Sequence, residues 1–253
     1  MIEKLNSLSL PKEFNYADSN EDFQYFNLMP PIHSYALSDG ASNSYNSKLW
    51  AQILVKSFTK EQTNISENWL LSCIKSYISR HDFATMSWLQ TEGFEKGSFA
   101  TFVGIQQIIL NAKPQKRFYR FFLIGDSFIF LFKKNYLGNY RYKPLFDIPN
   151  FNEDPYLVSS NIEWNKKLDF NNLGSSRLKE VKFYKKDRMI AICATDALAA
   201  WISKVIENQI IKEDLLCRFL ISVTEEQFKL FVIFCRILKV MNIDDTTFAV
   251  LRL

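Results

Sequence analysis

The stretch from Phe118 to Phe132 constrains this chain most. It is apolar and aromatic apart from Arg120 and the central break Gly125-Asp126-Ser127. A run of this kind reads as buried strand on each side of a turn. Phe99 to Leu110 is a second apolar run, too β-branched and aromatic for a helix. Lys133-Lys134-Asn135 through Gly138-Asn139 then reads as a hairpin tip, and residues 179–194 as two strands around Lys185-Lys186-Asp187. The middle of the chain is therefore a block of strands. With 23 Phe, 11 Tyr and 5 Trp, its core is bulky and aromatic.

The flanks have a different period. Residues 1–20 are polar, with turn formers Asn15, Asp18, Ser19 and Asn20. Phe23, Tyr25, Phe26 and Leu28 suggest a strand, Pro30-Pro31 a turn, and Ser34 to Leu37 a second strand ending at Ser38-Asp39-Gly40. Leu49, Trp50, Ile53, Leu54 and Phe58 are spaced as in a helix over 44–60. Trp69, Leu70, Cys73, Ile74, Tyr77 and Ile78 repeat the pattern over 66–90, with Ser66 as a helix start. Residues 144–178 are loop-rich, either a flap over a site or a segment anchored by Phe151, Tyr156 and Trp164. Residues 196–240 read as helical and Thr246 to Leu251 as a final strand. Strands, helices, strands, helices and a last strand make a segregated α+β chain. No internal boundary divides it, so residues 1–253 are read as one domain.

Charge and composition exclude several classes. The net charge of +4 is mild, and the basic runs (Lys113 to Arg120, Lys133-Lys134, Lys185 to Arg188) alternate with apolar residues as solvated strand ends do. No nucleic-acid partner is expected. Two His (His33, His81) and four Cys without a C-x-x-C pair argue against a zinc site. The charged opening Met1-Ile2-Glu3-Lys4 is unlike a signal peptide, and no apolar stretch approaches the ~20 residues of a membrane span. A cytoplasmic, monomeric protein with reduced thiols is expected.

The aspartates carry the chemistry. Asp39 ends a strand, Asp126 follows one, Asp196 follows the apolar run Ile190 to Ala194, and Asp244-Asp245 precede the last strand. Glu21 and Asp22 precede the first aromatic strand. Each alone could be a turn former or a helix cap. Together, carboxylates at several strand tips are poised to meet at one sheet edge. There they repel unless a cation neutralises them. An all-oxygen set suits Mg2+ or Mn2+.

Taken in order, these segments resemble the metal-dependent protein phosphatases of the PP2C (PPM) family, its divergent bacterial branch most closely. Asn20-Glu21-Asp22 is similar to the N-terminal acidic motif, and Leu37-Ser38-Asp39-Gly40 to the "ADG" motif. Gly97 to Phe102 resembles the "GGTT" strand, and Ile124-Gly125-Asp126-Ser127 the "GDS" motif. Ala194-Thr195-Asp196-Ala197-Leu198 resembles "SDGL", and Asp244-Asp245-Thr246-Thr247 the closing "D-(N/D)-x-T" strand. The likeness runs from about residue 20 to residue 252.

The resemblance implies a four-layer αββα sandwich of two antiparallel sheets flanked by helices. It implies a serine/threonine phosphoprotein phosphatase, acting on the substrate of a cognate kinase through a hydroxide activated on two Mn2+ or Mg2+ ions, with room for a third. Asp39 would bridge the two ions, with the Gly40 carbonyl on the second. Asp196 and Asp244 would hold the first, Asp126 would lie near the third, and Glu21 and Asp22 would orient water. The chain departs from the pattern at Ala17, where the family places a phosphate-gripping Arg, with Lys12 as a nearby replacement. It departs again at Ala197, where the family has Gly. A catalytically weak binding or regulatory module is the alternative. No Cys has an Arg six residues later, which sets aside the cysteine phosphatases. His33 is a candidate general acid.

Overall fold

The computed structural model describes residues 1–28, 33–60, 65–108, 116–170 and 172–253. The expected Pro30-Pro31 turn, the end of the run at Ile109-Leu110 and Lys113 lie outside the described residues. The chain opens with strands β1 (Glu3–Leu10), β2 (Phe23–Asn27) and β3 (His33–Ser38). Helices α1 (Ser47–Lys60), α2 (Glu67–Ile78) and α3 (Trp88–Lys96) follow. Then come strands β4 (Phe99–Ala100), β5 (Phe102–Ile108), β6 (Lys116–Ile124), β7 (Phe128–Lys134), β8 (Tyr140–Tyr142), β9 (Val158–Ser159), β10 (Leu178–Tyr184) and β11 (Met189–Ala194). Helices α4 (Asp196–Glu207), α5 (Glu213–Ser222) and α6 (Glu225–Ile237) precede the last strand, β12 (Thr246–Arg252).

The long strands form two five-stranded sheets, ordered β1-β12-β11-β7-β8 and β10-β6-β5-β3-β2. Neighbours pair antiparallel throughout. Side-chain alternation explains how the sheets stack. From the second sheet, Tyr35, Leu37, Val103, Ile105, Tyr119 and Phe121 join the core shared with the first sheet. Their neighbours Ala36, Phe102, Phe122 and Ile124 point the other way, onto Trp50, Leu54, Phe58 and Trp69 of α1 and α2. The first sheet is covered outside by α4, α5 and α6 through Leu198, Ile202, Leu216, Leu220, Phe228 and Val232. The layers run helix, sheet, sheet, helix, the four-layer sandwich that the motif order implied. Each fully buried large apolar side chain contributes roughly 1.5–3 kcal/mol.

The register places the chemistry. Phe23 at the start of β2 faces Ser38 at the end of β3, and Phe102 at the start of β5 faces Ile124 at the end of β6. In the other sheet, Ala194 at the end of β11 lies between Phe128 and Phe248, near the starts of β7 and β12. Leu10 at the end of β1 faces Thr246. The segments 20–22, 39–40, 125–127, 195–196 and 244–245 therefore emerge at the same end of the sandwich.

Several expectations need correction. The polar N-terminus holds an edge strand, β1, stabilised by pairing with β12. The second helix stops at Ile78, and a separate α3 begins at Ser87, whose side chain accepts from Gln90 N in a capping box. The 144–178 segment carries β9, paired with β4, and is anchored by buried Phe146, Val158, Leu168 and Phe170. Of the aromatic anchors expected there, Phe151 packs on the core, whereas Tyr156 and Trp164 are mostly exposed. Among the described residues, no helix is long and apolar enough to cross a membrane. All four Cys are buried and free.

Candidate functional site

At this shared end the glycines fit the turns. A side chain on Gly40 would stand 2.8 Å from the Ser47 backbone at the start of α1. Gly125 has φ +96°, and a side chain there would meet Thr101 at 2.8 Å. The Thr101 hydroxyl in turn accepts from Asp39 N at 2.9 Å and lies 2.7 Å from the Ser127 hydroxyl. The "ADG", "GGTT" and "GDS" segments are thus tied to one another by small groups.

The acidic motif is held from the other sheet. Asp245 is buried, and its two carboxylate oxygens accept from Lys12 N and Glu21 N, each at 2.6 Å. Thr195 Oγ1 donates to Asp22 Oδ2 at 3.1 Å and accepts from Thr247 N at 3.0 Å. Arg236 of α6 donates to the carbonyls of Lys12, at 3.0 Å, and Asp244. Glu21 accepts from Ser47 Oγ at 2.6 Å and from Ser42 Oγ. The Lys12 ammonium stands 3.0 Å from Ser42 Oγ and 3.6 Å from Glu21 Oε2.

Within this frame the carboxylates feel one another. Asp39 is raised well above the usual carboxylate range by burial, then by the charges of Asp22, Asp196, Asp244 and Asp126. Burial, followed by the charges of Asp245 and Asp196, brings Asp22 to about 8. Asp196 is raised to about 7 by burial and by Asp126 and Asp244. Burial also raises Asp126, with Asp244 adding to it. Asp22, Asp39, Asp126, Asp196 and Asp244 thus share one edge, and Gly40 and Glu21 flank them.

The set is not closed into a ligand cage. Among the described residues, no three His, Cys, Asp or Glu side chains are arranged to hold an ion as they stand. The donor set still fits a hard divalent ion. It is all oxygen, and Asp22 Oδ1 is buried without a hydrogen-bond partner among the described residues.

Other expected residues fall elsewhere. His33 opens β3 and pairs with Gln107, at the far end of that strand from Asp39. It is therefore no general acid at this edge. His81 packs against Tyr77, Tyr45 and Phe94. Ala197 sits inside the first turn of α4, which needs no glycine. Ala17 lies in a short 3-10 turn, Ala17–Ser19. Sequence reasoning gave no role to Arg236, nor to Asp245 or the hydroxyls of Thr101, Ser127 and Thr195, although these last four lie within the motifs it singled out.

No family model matches this chain, and no curated protein matches it by sequence. Solved structures do. A variant of a bacterial serine phosphatase superposes with a TM-score of 0.52 at 15% identity, covering 100% of this chain and 99% of the other. The S. agalactiae serine/threonine phosphatase gives 0.51 at 12% identity, covering 99% of each chain. The Mycobacterium tuberculosis serine/threonine phosphatase PstP/Ppp gives 0.51 at 12% identity, covering 100% of this chain and 98% of the other. The chain has the fold of the bacterial serine/threonine phosphatases, the PP2C fold that its motif order implied.

Proposed function

We propose that this chain is a metal-dependent serine/threonine phosphoprotein phosphatase. The observation that carries the reading is the gathering of Asp22, Asp39, Asp126, Asp196 and Asp244 at one edge of the sandwich, with an unpartnered buried oxygen on Asp22. Asp39, Asp196 and Asp244 would hold two Mn2+ or Mg2+ ions, with the Gly40 carbonyl completing one site and Asp126 serving a looser third. Bound there, the ions would supply Lewis acidity, which makes water nucleophilic near neutral pH and offsets phosphoryl charge.

The remaining roles belong to the chain itself. Asp22 and Glu21 would accept hydrogen bonds from water and aim it at phosphorus. Glu21 is suited to this because Ser42, Ser47 and the Asp245-bound backbone fix its position. Lys12 would balance the charge of the incoming phosphate, in the role the family gives to an Arg at the Ala17 position. Thr101 and Ser127 hold the Asp39 backbone still.

A second reading, a catalytically weak binding module, is favoured by Ala17 and by the open ligand set. Hydrolysis of a phosphothreonine peptide with Mn2+ separates the two. The phosphatase reading predicts turnover that chelation abolishes and that Lys12→Met weakens chiefly through KM. Folded, Mn2+-loaded protein without turnover supports the second reading instead.

A further inference from the structure

Helix α6 has two apolar faces, and the fold uses one. Phe228, Val232 and Cys235 are buried, and Phe231 packs edge-on against Trp201 and Phe219. On the other side Leu230, Phe234, Ile237 and Leu238 are 67%, 61%, 71% and 54% exposed. Their spacing places them on one stripe about two turns long. Single exposed apolar residues are ordinary, but a continuous stripe of large ones on a helix marks a contact surface.

The ends of the stripe say what contacts it. Exposed Glu225 and Glu226 occupy the first turn, and exposed Lys239 follows the last. A parallel copy of this helix would set Glu against Glu. An antiparallel copy sets the acidic end against the basic end and also opposes the two helix dipoles. With a two-fold axis between Ile233 and Phe234, Leu230 meets Ile237 of the second copy. Glu226 then lies toward the C-terminal end of the second copy's helix, which exposed Lys239 follows.

We infer that two copies of this chain pair antiparallel through the exposed face of α6. The contact is isologous, so one patch serves both copies. The inference departs from the monomer expected from the sequence and is independent of the phosphatase reading.

Sedimentation of the full chain across roughly 1–100 μM tests it, the range in which a moderate interface reports. The mass should rise from one chain to two with concentration. Phe234→Glu and Ile237→Glu should each hold it at one chain at every concentration while leaving the thermal midpoint of the monomer in place. Glu226→Lys or Lys239→Glu alone should weaken pairing roughly tenfold. The two together should restore it. A single-chain mass throughout overturns the inference and leaves the stripe to another kind of partner, a lipid surface or a different protein. Pairing that survives Phe234→Glu, or that the double charge exchange fails to restore, overturns it as well.

Discussion

The space between the sheets and the edge where the loops emerge are built on opposite principles. Between the sheets, Tyr35, Tyr119, Phe121, Ile129 and Leu131 are buried, and the rings among them meet other rings at tilted or edge-on angles. Nothing there titrates at ordinary pH, and every contact favours folding. At the edge, carboxylates are brought together against burial and mutual repulsion, held by backbone amides, small hydroxyls and the Lys12 ammonium beside Glu21. The contrast teaches that the aromatic layers supply the stability on which the acidic edge draws. Strain localised at one edge of an otherwise consistent fold is the mark of a functional site.

The comparison can be broken at several strengths. Phe121→Ala should destabilise the protein by about 3–5 kcal/mol in urea unfolding, with no recovery on adding Mn2+. A loss below ~1 kcal/mol would deny the core its role. Asp39→Asn should behave in the opposite way. Turnover should fall by roughly a thousandfold, about 4 kcal/mol of transition-state stabilisation, while the metal-free protein becomes more stable because the cost of burying an ionisable carboxyl is gone. Retained activity would remove Asp39 from the site. Asp245→Ala leaves two backbone donors without their acceptor and should cost about 2–4 kcal/mol, with Mn2+ affinity falling alongside as Glu21 loosens.

A smaller effect concerns pH. Asp22 and Asp196 bind protons more tightly in the folded chain, at about 8 and about 7, than at the ordinary 3.8. The folded metal-free protein therefore holds more protons than the unfolded chain between those values. Its stability should fall as pH rises from about 4 through about 8. Thermal melts at pH 5.5 and 8 should differ in that sense, and Mn2+ should remove the difference. A higher midpoint at pH 8 without metal would contradict the assigned burial. The smallest change, Ser47→Ala, removes one hydrogen bond to Glu21 and should lower stability by roughly 1 kcal/mol.

Much of this is legible in the chain, and the reasons are local. Apolar runs ending in Gly-Asp or Asp-Gly announce strands followed by turns, so the residues alone place Asp39 and Asp126 at strand tips. The antiparallel order then carries Asp196 and Asp244 to the same end. β1 is not legible. Its sequence Glu3-Lys4-Leu5-Asn6-Ser7 is polar, a register shift between Lys4 and Asn6 breaks its period, and its order comes from β12. The break after Ile78 is hidden by aromatic residues that continue past the helix, although Ser87 and Gln90 are a capping signal. The clasp of Asp245 on Lys12 and Glu21, residues more than two hundred positions away, has no local signature. Neither has Arg236, whose acceptors lie at Asp244 and Thr246 just downstream and at Lys12, more than two hundred positions away.

Calorimetric titration of Mn2+ into the chain, beside Asp39→Asn and Asp196→Asn, tests the central claim most directly. The account predicts binding of two ions by the native chain and loss of at least one in each variant. Native protein that binds no Mn2+, or variants that bind it as the native chain does, would contradict it.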